Sequence, residues 1–135
     1  MGTKNPAPAA PTSAQATWVS VLGKVIDEIE AWAEASSWPV SRKPKTISEE
    51  HIGTYAAPVL DIKTPGGWVV VEPIGQEVQG CDGRIDIYSF PTLHRVLLVR
   101  EHGGWVLRME SGVRLPHMKW GRKAFVDLVG SLTGA

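Results

Sequence analysis

The 135-residue chain has a single cysteine, no net charge and no long apolar run. Because Cys81 has no second cysteine to pair with, an intrachain disulfide is excluded, and a reducing compartment such as the cytoplasm is the simpler expectation. No apolar stretch approaches the roughly 20 residues that a membrane-spanning helix needs, and residues 1–18 lack the apolar core of a secretory signal. We therefore expect a soluble, cytoplasmic protein without a membrane partner.

Basic and acidic side chains balance, with 14 of each. Proteins that bind nucleic acid through its phosphates normally carry a basic excess, so the balance argues against such a partner. The histidines show no metal-ligand spacing and the single cysteine adds none, so no metal is expected. The glycines at 75, 80 and 83 do not fit a dinucleotide-binding fingerprint, since no helix is predicted after them. No cofactor is expected either.

Tryptophan, in contrast, is abundant: there are six, against two tyrosines and two phenylalanines. Large rings carry much of the energy of protein cores and of protein interfaces. We expect most of the tryptophans to build a small core, and one or two to lie exposed at a binding surface.

Apolar residues at helical spacing predict a long helix over residues 14–36. Trp18, Leu22, Val25 and Ile29 follow one another at steps of four, three and four. Pro39 ends this helix, because a proline disfavours helical geometry in the residue before it. The same kind of spacing predicts a short helix over about 121–132. Residues 1–14, rich in proline and alanine, predict a disordered tail, which leaves residues 15–133 as one domain.

From residue 54 onward the apolar pattern has a period of two, which is typical of strands. Strands are predicted at about 54–62, 68–74, 84–90, 94–100 and 105–110, with a short sixth considered near Val78. Their short connections suit an antiparallel meander. The polar residues 39–53 are expected to form a loop. The predicted class is α+β, with a long N-terminal helix, a sheet of five or six strands and a short C-terminal helix.

The strand RIDIYSF, residues 84–90, raises the question of a site. Ile85 and Ile87 alternate with Arg84 and Asp86, so the two pairs face opposite sides of the sheet. We expect the arginines and acids of neighbouring strands to form exposed pairs worth about 0–1 kcal/mol each. Helices on one face would leave the other face open to a ligand or partner. The candidate binding residues are Arg84, Asp86, Arg95, Arg108, Glu110 and Trp120.

No residue set in the sequence makes a convincing catalytic centre, so a non-enzymatic protein-binding or adaptor module is the first hypothesis. The surplus of tryptophan supports it, and a protein partner or self-association, as in a homodimer, is expected. Two alternatives stay open. Asp61 and Lys63, with Glu72 or Glu50, resemble the acids and lysine of a metal-dependent, nuclease-like hydrolase. The basic segment 114–123, which contains Trp120, has the composition of a weak nucleic-acid binder.

Overall fold

The computed structural model describes residues 13–78, 80–110 and 119–134. In the sequence, one helix precedes all of the strands and one follows them: α1 (Ser13–Ala35) and α2 (Arg122–Thr133). The strands are β1 (Val40–Glu49), β2 (Gly53–Thr64), β3 (Gly67–Gly75), β4 (Arg84–Phe90), β5 (Arg95–Glu101) and β6 (Gly104–Met109). This order confirms the predicted α+β class. Of the predicted disordered tail, residues 1–12 lie outside the described residues, whereas residues 13 and 14 already belong to α1.

The apolar stripe of α1 is buried as its spacing predicts. Trp18, which is fully buried, donates its indole N–H to the hydroxyl of Tyr55 on β2 at 2.8 Å. The helix ends where Ser37 adopts a φ of 62° and the N–H of Trp38 donates to the carbonyl of Ala33 at 3.0 Å. Such a left-handed residue satisfies the last carbonyls of a helix. In the described part of the chain, neither helix is long and apolar enough to cross a membrane.

The strands form one antiparallel sheet in the order β1 to β6, which confirms the meander. The expected loop over 39–53 is wrong for residues 40–49, because these form β1. This strand lies at the edge of the sheet and buries only Ile47, so its polar sequence carries little of the apolar alternation that marks a strand. The strand considered near Val78 is a single bridge between Val78 and Cys81.

Two prolines lie opposite each other in the first hairpin. Pro44 on β1 faces Pro58 on β2, and neither residue has an N–H to donate. Prolines in sheets are usually confined to edge strands or bulges, whereas β2 is an interior strand. Pro58 is tolerated there because the pairing of β2 with β3 begins only at Leu60.

Both helices pack on one face of the sheet, here called the inner face. The core between them includes Leu60, Val71, Ile87 and Leu98 from four neighbouring strands. Gly83, just before β4, shows how tightly α1 packs. A Cβ there would lie 2.5 Å from the Trp18 ring, and its φ of 153° is one that L side chains rarely adopt. Any side chain at this position would displace the helix.

Most tryptophans serve the core, as expected. Trp32 and Trp120 meet edge to face at 5.5 Å between ring centroids, and the Phe125 ring packs against both, as well as against Trp38. This aromatic group holds α2 against the end of α1. Trp68 is the exception: 44% of its surface is exposed. It lies on the opposite face of the sheet.

Candidate functional site

The outer face of the sheet, opposite the helices, contains a depression of about 720 Å³. This volume lies in the range of about 300–1,000 Å³ that is usual for ligand sites. Val59 of β2 and Val70 of β3 form its apolar floor. Residues on either side of Val70 in β3 lie in the core, so the alternation of the strand directs this side chain outward.

Two aromatic side chains stand at the rim of the depression. Trp68 on β3 is paired directly with Phe90 on β4, and 44% and 55% of their surfaces are exposed. Directly opposed residues in an antiparallel pair have Cβ atoms about 4.5–5.5 Å apart, so the two side chains form one continuous apolar surface. Single exposed apolar residues are ordinary, but an adjacent aromatic pair beside a depression is not.

Charged groups line the depression and are paired with one another. Lys45 donates to Glu72 at 2.7 Å and also to the carbonyl of Pro73 at 2.8 Å. Lys43 lies 3.2 Å from Asp61. The lysines come from β1 and the acids from β3 and β2, so the pairs connect three strands. The polar side of the depression is therefore neutral and held in place by its own contacts.

Tyr88 extends this network along β4. Its hydroxyl donates to Glu72 at 2.9 Å. Burial and this hydrogen bond raise the pKa of Tyr88 to about 12. Burial acts to raise the pKa of Glu72, but the hydrogen bonds from Lys45 and Tyr88 outweigh it and hold that pKa below its ordinary value. Tyr88 is thus a neutral donor and Glu72 a charged acceptor at neutral pH.

Asp86, the acid of the RIDIYSF strand, is fully buried. Arg84 donates to both of its carboxylate oxygens, at 2.7 and 3.0 Å, and Arg95 of β5 donates to one of them. The hydrogen bond to Asp86 raises the pKa of Arg84. Arg95 also lies over the Tyr88 ring, 4.8 Å from its centroid. The expectation of exposed pairs is therefore wrong at Asp86, because two arginines cover it from solvent.

The structure brings together three of the six candidate binding residues. Arg84, Asp86 and Arg95 form one cluster beside the depression, where Asp86 is paired across the strands with Glu72. Arg108 instead pairs with Glu101 at the β6 edge. Glu110 is exposed just after β6, and Trp120 lies in the aromatic group on the other face. These last three do not contribute to the depression.

Three residues of the hydrolase alternative lie on one face of the sheet, whereas Glu50 lies in the turn after β1. Asp61 and Glu72 line the depression, and Lys63 is paired with Trp68 at its rim. Each acid is already bound to a lysine. Across residues 13–78, 80–110 and 119–134, no three histidine, cysteine, aspartate or glutamate side chains are grouped closely enough to hold a metal ion. Of the basic segment 114–123, residues 114–118 lie outside the described residues.

The aromatic residues of the rim, Trp68 and Phe90, and the two lysines of β1 are not among the candidate residues predicted from the sequence. The signal for Trp68 and Phe90 was present, because each is in phase with outward residues, Trp68 with Glu72 and Phe90 with Asp86. Lys43 and Lys45 gave no such signal, since the segment that carries them was expected to be a loop.

Comparison of the chain with protein-family models, with curated proteins and with solved structures finds no match. The depression and its contacts are therefore the evidence that bears on function. A fold by itself would not supply it, because one fold hosts many functions.

Proposed function

We propose that the protein is a non-enzymatic binding module, which uses the depression on its outer face to bind a segment of a protein. The observation that carries this proposal is the opposed pair of Trp68 and Phe90, both largely exposed beside an apolar floor. Aromatic side chains are the commonest anchors of protein interfaces. They also lose little conformational entropy on binding, because each has only two side-chain torsions.

The charges around the depression support binding rather than catalysis. Lys43, Lys45, Asp61 and Glu72 are all engaged in ion pairs. Tyr88, at the same wall, keeps its proton at neutral pH, since its pKa is raised to about 12. A general base or a nucleophile would need a group poised to change its protonation state near neutral pH. The network instead gives the site a fixed shape, which lowers the cost of ordering it on binding.

The size of the depression supports a segment as the ligand. A depression of about 720 Å³ accommodates only a few side chains. A short extended segment fits this space. Because such a segment makes few contacts, we expect it to bind with the modest affinity that is typical of transient adaptors. We also propose a reducing compartment such as the cytoplasm for this function, because Cys81 is a lone, free cysteine.

Selection of peptides from a random displayed library tests the proposal without knowledge of the partner. We expect the wild type to enrich peptides that bind about tenfold more weakly to the Trp68→Ser and Phe90→Ser variants. Val19→Ser is the matched control, because Val19 is 37% exposed on α1, on the other side of the sheet. Failure to enrich any peptide, or equal loss in the control variant, would contradict the proposal.

A metal-dependent hydrolase is the second candidate, since Asp61 and Glu72 do line one depression. In that case Mg²⁺ or Mn²⁺ would displace Lys43 and Lys45 from the two acids. Calorimetric titration of either ion into the wild type and into Asp61→Asn, together with thermal unfolding in the presence of the ion, distinguishes the two functions. Metal binding that disappears in the variant would favour the hydrolase, and the absence of both heat and a rise in the unfolding temperature in both proteins would contradict it.

A further inference from the structure

The groups left free around the depression define the chemistry of its ligand. Among the described residues, the indole N–H of Trp68 and the ammonium of Lys63 form no hydrogen bond, and the two residues are paired across β2 and β3. Both are donors. Both carboxylate oxygens of Glu72, in contrast, already accept hydrogen bonds. The rim at Trp68 and Lys63 therefore favours a ligand that presents acceptors and apolar groups.

A proline-rich segment in the polyproline II conformation has these properties. Its carbonyl groups have no internal partner, and each proline lacks an N–H. Grooves lined by aromatic side chains are a recurring way to bind such segments. The exposed Trp68 and Phe90 rings, with the Val59 and Val70 floor, would contact the proline rings.

The chain itself contains such a segment. Residues 5–11 read NPAPAAP and hold Pro6, Pro8 and Pro11, directly before α1. The helix that follows this segment, α1, packs on the inner face, so it lies on the side of the sheet opposite the depression of its own chain. We propose that residues 5–11 bind in the depression of a second copy, and that reciprocal binding makes a symmetric dimer. This inference depends on the proposed function, since it names the ligand of the same site.

Sedimentation of full-length variants tests the dimer. We expect the wild type to dimerise, and the triple variant P6A/P8A/P11A and Phe90→Ser each to dimerise at least about tenfold more weakly, because each lacks one half of the contact. A mixture of the two variants is the decisive sample. The triple variant keeps an intact depression and Phe90→Ser keeps an intact segment, so the mixture should form heterodimers at concentrations at which each variant alone is monomeric.

Far-ultraviolet circular dichroism and thermal unfolding of each variant show whether it is folded. A wild type that remains monomeric, or a triple variant that dimerises as strongly as the wild type, would overturn the inference. The proposed function would survive either result, provided that library peptides still bind the wild type and lose affinity for Phe90→Ser. If library binding fails as well, both proposals fall together.

Discussion

The inner and outer faces of β3 and β4 differ although the same two strands supply both. On the inner face, Val69, Val71, Ile85 and Ile87 are fully buried beneath the helices. On the outer face, the alternate positions hold a buried ion cluster at Asp86 and an exposed aromatic pair at the rim. Stability and the proposed binding are thus assigned to opposite sides of one sheet. Substitutions that act on a single side should separate the two properties.

The largest effect is expected on the inner face. Ile87→Ala removes a fully buried side chain beneath the helices, and we expect a loss of about 2–5 kcal/mol in the free energy of unfolding. Val70→Ala is the matched control, because Val70 is only half-buried on the outer face of β3 and should cost about 1 kcal/mol. Urea denaturation measures both. Equal losses would show that the outer floor packs as tightly as the core.

A smaller effect is expected from the ion cluster. Asp86→Ala leaves Arg84 and Arg95 without their carboxylate, and their side chains are 28% and 30% exposed. Because both arginines keep contact with water, we expect a loss of about 2–3 kcal/mol, below the ~3–5 kcal/mol typical of a fully buried pair. Asp61→Asn, which breaks the exposed pair with Lys43, should cost about 0–1 kcal/mol. A cost for Asp86→Ala no greater than that of the control would mean that burial of Asp86 adds nothing.

A still smaller effect should appear as a dependence on pH. The pKa of Glu72 is lowered in the folded protein, so its contribution to stability is present at neutral pH, above the unfolded value of about 4.3. As the pH falls through the lowered pKa, the folded state also binds the proton and the contribution is lost. The free energy of unfolding should therefore decline less steeply with acid in Glu72→Gln than in the wild type.

Glu77 serves as an internal reference for this measurement. The hydrogen bond with the His51 side chain lowers the pKa of Glu77, so part of the decline with acid persists in both proteins. Only the difference between the two curves reports on Glu72. Superimposable curves would contradict the ion pair between Glu72 and Lys45.

The fold could be predicted from the sequence wherever one side of an element is buried. The stripe of α1 and the alternation at Ile85 and Ile87 each reflect burial against the core, and both predictions are confirmed. β1 could not be found in this way. As an edge strand it buries only Ile47. Most of its side chains face solvent and are polar, so its sequence lacks the apolar alternation of a strand that packs on the core.

The candidate site was predicted only in part. The alternation of a strand shows on which face of the sheet a residue lies, but it does not show which residues of other strands lie next to it. Alternation placed Arg84 and Asp86 correctly on the outer face. The alternation could not show that Arg95 also forms an ion pair with Asp86, nor that Asp86 is fully buried. The depression depends on the pairing of β1 with β2, which brings Lys43 and Lys45 beside Asp61 and Glu72. Which residues lie side by side is set by the register of the strands, which a local pattern does not contain.

The smallest effect on stability, and the sharpest separation of the faces, is expected at Phe90. Its side chain is 55% exposed, so Phe90→Ser should change the free energy of unfolding by no more than about 0.5 kcal/mol. The same variant should lose about tenfold in affinity for bound peptides, because it removes one of the two aromatic anchors. Urea denaturation and peptide titration of one preparation give both values. A variant that loses stability and affinity together would show that Phe90 supports the sheet, because an anchor for a ligand contributes its energy only when the ligand is bound.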